Sequence, residues 1–361
     1  MMPFALTAAV LLGIASCRTD RGETTPVGEA KDDGRGPLWT IPVVSVRYYP
    51  VKGDNIDIEV TGDWGAGFEA TRQKVEIMEK ETIASLTEGS RYHAYSNPDA
   101  RPSMTYNVVK TFEFIEALPT VQDPGFKNGA GNTVPKTDYN AIMARIDAEH
   151  WVEEKGVKEI WIWAYHGGKV VLWESNMSSP YGDVSNSNRD PNDLPVFEHT
   201  YTVYHYNYQR STHEAVHDHF HQIESLLNHV DGRHTTPPDK WNTLLFWGNF
   251  VGSDRSHKIV RPGGCGWCHY PPNGENNYDY ANKRYVMTEI EDWKPDGSGR
   301  KVRINCDRWE GNDLKFYIYW YQSLPGYNNG LTYEGKELEN WWLFKADWDY
   351  AMKHGLKLVK Q

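Results

Sequence analysis

The stretch Glu159-Ile160-Trp161-Ile162-Trp163-Ala164-Tyr165-His166 decides the fold. It is apolar at odd and even positions alike, as a strand buried on both faces must be. Such a strand needs cover above and below, which helices supply in layered folds. The preceding sequence provides them. Residues 41–49 (IPVVSVRYY) are β-branched and aromatic and end at Pro50, which reads as a first strand. Residues 68–88 are charged but set Val75, Met78 and Leu86 at helical intervals before Gly89. Residues 107–118 read as a strand. Residues 138–155 read as a second helix, with Tyr139, Ile142 and Ile146 on one face and Gly156 as its stop. After the central strand, Gly167-Gly168 permits a tight hairpin into residues 169–174. The alternation predicts a single layered α/β domain over residues 38–361, with a central mixed sheet flanked by helices and a loop-rich C-terminal third.

Composition narrows the function classes. Of 361 residues, 39% are hydrophobic and 24% charged, enough apolar material to exclude disorder for the chain as a whole. The formal net charge of -11 argues against a nucleic-acid partner, whose binding rests on neutralised phosphates. Beyond residue 16 no apolar run approaches the roughly 20 residues that span a bilayer.

Residues 1–16 (MMPFALTAAVLLGIAS) carry no charge and end in small residues, as a signal peptide does. Ile14-Ala15-Ser16-Cys17 resembles the bacterial lipobox, in which the Cys is acylated and becomes the new N-terminus. The basic residues that usually precede the apolar run are missing here. Residues 17–37 are then the lipidated Cys17 and a tether rich in Gly, Pro and mixed charge. The expectation is an exported protein, anchored to the cell envelope through its N-terminal lipid only.

The strongest chemical signal lies in residues 211–224 (STHEAVHDHFHQIE), behind a strand expected at 200–208. At about 100° per residue, with His213 at zero, Glu224 falls near 20°, His217 near 40°, His221 near 80° and Glu214 near 100°. Ala215, Val216, Phe220, Ile223, Leu226 and Leu227 fall on the opposite side and form the buried face. The polar arc is therefore either solvated or a site. His213-Glu214-x-x-His217 fits the zincin pattern, two histidines one turn apart with a glutamate that activates water. Phe220 and Ile223 stand where a metzincin has Gly and a third His. Ser211-x-x-Glu214 also reads as a capping box, which would assign Glu214 to the helix terminus. His217 and His221 form a second pair free of that objection. His213 and His221 stand ~12 Å apart along the axis at ~1.5 Å per residue, so one ion cannot take all three. A third ligand is expected from another segment, with His166 or Glu174 foremost and His205 behind them.

Three further features bear on function. The polar run 174–195 offers Asp183, Asn186, Asn188, Asp190 and Asp193, oxygen ligands suited to calcium or sugar hydroxyls. Tyr204, Tyr206 and Tyr208 alternate along one strand face, either as core or as a sugar platform. Cys265-Gly266-Trp267-Cys268-His269 matches the c-type haem pattern, but Pro271-Pro272 prevents the helix that carries the axial histidine, which argues against haem. Outside the cytoplasm a disulfide is expected, most simply Cys306 with Cys265 or Cys268.

Together these predict a metal-dependent hydrolase of an extracellular polymer, peptide or polysaccharide. His217 and His221, with His166 from another segment, would hold zinc, His213 with His217 being the other helical pair. Glu214 or Glu224 would act as base. Arg210 or Arg189 would stabilise a developing oxyanion, and Asn186, Asn188 and Tyr206 would contact substrate. The alternatives are a metal-free glycosidase pairing Glu174 with Glu214 or Glu224, and a non-catalytic carbohydrate-binding protein.

Overall fold

The computed structural model describes residues 36–361 apart from 123, 124, 126, 128–130, 172, 188, 189 and 191. The expected signal peptide, Cys17 and nearly all of the expected tether lie outside the described residues, as do Asn188 and Arg189.

Five strands build the central sheet: β1 (Trp39–Tyr48), β2 (Met104–Phe114), β3 (Glu159–Ala164), β4 (Ser175–Ser178) and β5 (Tyr201–Asn207). Their order is β2-β1-β3-β5-β4. The first four run parallel, with Val44 opposite Ile160 and Trp161 opposite Tyr204, and β4 closes the edge antiparallel to β5. The sheet is mixed, and every residue of β3 and β5 is buried, including the polar Glu159, Thr202, His205 and Asn207.

Four helices matter for the site: α1 (Phe68–Gly89), α2 (Tyr139–Arg145), α3 (Thr212–Val230) and α4 (Asp313–Tyr321). α1, α3 and α4 pack on one another, with α1 against β2 and α3 against β4 and β5. The period of two along β5 sorts its side chains. Tyr204 and Tyr206 stack on His219 of α3, whereas His205 between them meets Tyr139 of α2 from the other face. No helix among the described residues is long and apolar enough to cross a membrane.

Two local expectations are corrected. The turn at Gly167-Gly168 forms, with φ of 46° and 72°, but does not return along β3 as a hairpin. The free edge of β3 is taken by β5, and the antiparallel strand is β4. Gly167 is required by a close approach, since a Cβ there would sit 1.8 Å from the Thr61 carbonyl oxygen. The second helix, expected over 138–155, stops at Arg145. Asp147 takes a left-handed φ of 55°, and the chain resumes in a wider turn, His150–Glu154.

The C-terminal third is short of regular strands but rich in buried rings. Trp293, Trp309, Trp320, Trp341 and Trp342 are all buried. Such rings each remove roughly 150–250 Å² from water, so here the aromatic load builds core. Phe220 of α3 packs on Trp320 of α4 with ring centres 4.2 Å apart. This contact holds the C-terminal third against the helix that carries the histidines.

Candidate functional site

α3 presents the two faces its periodicity predicts. Ala215, Val216, Phe220, Ile223, Leu226 and Leu227 are buried on the core side. The far end of the polar arc is not solvated either: His221 and Glu224 are only 7% and 5% exposed, whereas His213 and Glu214 are part-exposed. The cover is the Cys-x-x-Cys-His segment. Gly266 turns with φ of 81°, and a Cβ there would lie 2.5 Å from the Tyr270 carbonyl oxygen. Trp267 and Tyr270 then exchange backbone hydrogen bonds across the turn. The indole N–H of Trp320 donates to the Gly266 carbonyl, and the Tyr280 hydroxyl donates to that of Cys268. Cys268 and His269 are thereby laid against α3.

A cluster of nitrogen and sulfur ligands results. His221 Nε2 lies 2.8 Å from His269 Nε2, and His221 Nδ1 lies 3.0 Å from Glu224 Oε2. The other Glu224 oxygen accepts the Cys268 backbone N–H at 3.0 Å. The His217 ring is parallel to that of His269 at 5.5 Å and edge-on to His221 at 4.4 Å. Its Nε2 is buried with no hydrogen-bond partner. One ligand atom from each of His217, His221, Cys268 and His269 can be chosen so that all lie within 4.8 Å of one another. Tetrahedral zinc, bound at ~2.0–2.3 Å, sets its ligands ~3.5 Å apart. This buried group could hold a metal ion.

The electrostatics agree with that use at two of the four groups. Burial pushes His217 down to about 2 and His269 down to about 3, so both rings are neutral, the form that binds a metal. Burial also opposes charge on His221, but the hydrogen bond and charge of Glu224 outweigh it and raise that ring. Burial keeps the Cys268 thiol protonated, well above its ordinary value. A bound cation would reverse that preference.

His217 also borders a cavity of about 780 Å³. The cavity lies between the first turns of α3, the end of β5 and the segments around Glu174 and Tyr278, with α4 contributing Asp313 and Tyr317. Glu174, His217 and Asp218 form a second group whose ligand atoms lie within 4.8 Å of one another. Burial raises the Glu214 carboxyl, and Glu174 raises it further. Burial, Glu174 and Glu214 raise Asp218 well above its ordinary value. Glu174, Glu214 and Asp218 thus face one space, in which burial holds the Glu214 and Asp218 carboxyls above their ordinary values.

The sequence-derived candidates separate into three sets. Glu174, Asn186, Arg210, His213, Glu214, His217, His166 and His205 all line the cavity. His221 and Glu224 lie behind it in the ligand cluster, with Glu224 orienting His221 rather than facing the space. Tyr206 is 1% exposed, its hydroxyl on His219 Nε2 at 2.7 Å, so the tyrosine stripe belongs to the core. His166 and His213 are occupied otherwise, and so is one nitrogen of His205, whose Nε2 is buried with no partner. His166 Nδ1 faces the Val170 carbonyl, His213 faces Ser211 Oγ and Asp313, and His205 Nδ1 faces Tyr139 and Thr137.

The capping box does not form. The Ser211 side chain makes no cap bond, and Glu214 pairs with Arg210 at 3.4 Å. In the loop expected to suit calcium, Asp190 faces Lys136 at 3.7 Å and Asp183 accepts from Ser185. No metal-holding group forms there among the described residues. Nor does the expected disulfide: Cys265, Cys268 and Cys306 are buried free thiols, and Cys306 Sγ donates to the Ala281 carbonyl.

Cys268 and His269 are the members of this group that sequence reasoning did not assign to it. Their Cys-x-x-Cys-His spacing was the available signal. Comparison with known proteins finds no family model that matches the chain and no curated protein similar to it.

Proposed function

We propose that the chain is a metal-dependent hydrolase, with a zinc-like ion on His217, His221, Cys268 and His269 and substrate in the adjoining cavity. The observation that carries this reading is the buried, unpartnered Nε2 of His217, a ring shared by the ligand cluster and the cavity wall. Four protein ligands close a tetrahedral ion, so a catalytic ion here needs a fifth position, open to water. His217 is the member of the cluster that lines the cavity, so that position lies on its side. The ion would lower the pKa of a bound water, and Glu174 would take its proton. Glu174 is partly exposed and accepts from Asn186, which fixes its direction. Arg210 is the cation at the cavity wall available to a developing oxyanion.

The export signal and Cys17 in the sequence support a place at the cell envelope and an extracellular polymer as substrate. A second reading, a metal-free glycosidase, is favoured by one observation. Glu214, raised by burial, faces the same cavity as Glu174, which suits a general acid beside a base. Elemental analysis separates the two. About one transition-metal ion per chain, lost in His217→Ala/His221→Ala, supports the metal reading. A metal-free protein that still hydrolyses a glycan supports the other.

A further inference from the structure

A second cavity, of about 510 Å³, shares Asn186 and Ser187 with the first and lies within the roughly 300–1,000 Å³ range of ligand pockets. Its wall carries Arg233. The guanidinium packs against two indoles at once, 3.7 Å from the ring centre of Trp247 and 4.1 Å from that of Trp241. Two rings fix the plane of its donor fork. Yet no carboxylate, carbonyl or hydroxyl of the described chain takes a side-chain N–H of Arg233. An oriented, unused fork in a cavity wall is built for an anion with two oxygens.

A second orphan lies beside it. Asn228 lines the same cavity, is 5% exposed, and its Oδ1 is buried with no partner. A buried acceptor of this kind carries a free-energy cost unless a donor reaches it. The cavity thus offers a cationic fork for an acid, a neutral acceptor for a hydroxyl, and in its wall the indole of Trp241, one face of which Arg233 covers, as apolar surface for a sugar ring. One acidic pyranose carries all three complements, whereas an acidic peptide side chain supplies only the first.

We propose that this second cavity is a binding subsite for an acidic sugar unit, its carboxylate or sulfate held by Arg233 and one hydroxyl by Asn228. The proposal deepens the hydrolase reading, and rests on it in taking the polymer to run from this subsite past Asn186 into the first cavity. The substrate class is then an anionic polysaccharide.

Calorimetric titration of the intact protein tests this with four probes: an oligogalacturonate, a sulfated galactan oligosaccharide, a neutral cello-oligosaccharide of equal length and oligoglutamate. One or both acidic sugars should bind at least about tenfold more tightly than the neutral sugar and oligoglutamate, the loss expected when a charge-assisted hydrogen bond goes unmade. Which acidic sugar binds distinguishes carboxylate from sulfate. Arg233→Lys, which keeps the charge but not the fork, should lose about tenfold. Asn228→Ala should weaken binding independently if Arg233→Lys fails to fold. Equal binding of the neutral sugar, preference for oligoglutamate, an unaffected Arg233→Lys, or no binding at all would overturn the subsite. Binding is read here, not turnover. Retained binding in a protein that contains no metal contradicts only the metal-dependent reading, and metal-dependent hydrolysis without acid preference contradicts only the subsite.

Discussion

His221 Nε2 and His269 Nε2 lie 2.8 Å apart across 48 positions of the chain. Glu224 holds both sides of that contact, with one oxygen toward His221 Nδ1 and the other on the Cys268 backbone N–H, each at 3.0 Å. A carboxylate behind a ligating histidine fixes its tautomer and strengthens it as a ligand. Glu224→Gln keeps the shape and removes the charge. It should weaken metal affinity about 10–100-fold without unfolding the protein, read by competition with a chelating dye. Unchanged affinity would remove Glu224 from this role.

Glu174 is assigned the opposite task, at the cavity rather than behind the metal. Glu174→Gln should leave metal content unchanged and lower turnover on the hydrolysed polymer by about 10²–10⁴, the contribution of a general base. An equal loss of metal and activity would instead make Glu174 a ligand through its group with His217 and Asp218.

Asp231 should mark the pH dependence of stability. Its oxygens accept the backbone N–H groups of Leu245 at 3.3 Å and Phe246 at 2.8 Å, just after the end of α3. Burial, only partly offset by these bonds, pushes its carboxyl up to about 7. The folded state therefore holds this proton where the unfolded state has lost it, and stability falls as pH rises from the ordinary carboxyl range towards neutrality. The loss is at most on the order of 4 kcal/mol. Denaturant melts at pH 4.5 and 7.5 should show it in the wild type and show a flatter profile in Asp231→Asn. Identical profiles would contradict the assignment.

Cys17 carries the localisation proposal. Labelled palmitate should enter the wild-type protein in a bacterial host and be lost in Cys17→Ser, with the protein moving from the membrane to the soluble fraction. Labelling that survives the substitution would refute the lipobox reading.

What the sequence made legible depends on whether the relevant physics is local. Strand β3 shows itself because burial on both faces leaves Glu159–Ala164 apolar throughout, apart from its first residue. α3 shows itself because, at 3.6 residues per turn, Phe220 and Ile223 fall on one face and His217 and His221 on another. The neighbours of these elements were not legible. A glycine pair permits a hairpin after β3, but competition from β5 for the same edge decides the pairing. Tyr206 is indistinguishable in sequence from an exposed platform, since alternation gives the face and not what covers it. Cys268 and His269 had a visible motif, yet their place against α3 depends on a turn, on Trp320 and on Tyr280, contacts that no periodicity encodes.

Metal content tests the central claim most directly. The mature protein, purified without chelator and fold-checked, is analysed by mass spectrometry for transition metals beside His221→Ala and His269→Ala. About one zinc or similar ion per chain, lost from both variants while their unfolding remains cooperative, is the predicted result. A wild type that holds no ion even after incubation with zinc would contradict it. The close approach of His221 and His269 would then be a hydrogen bond and nothing more.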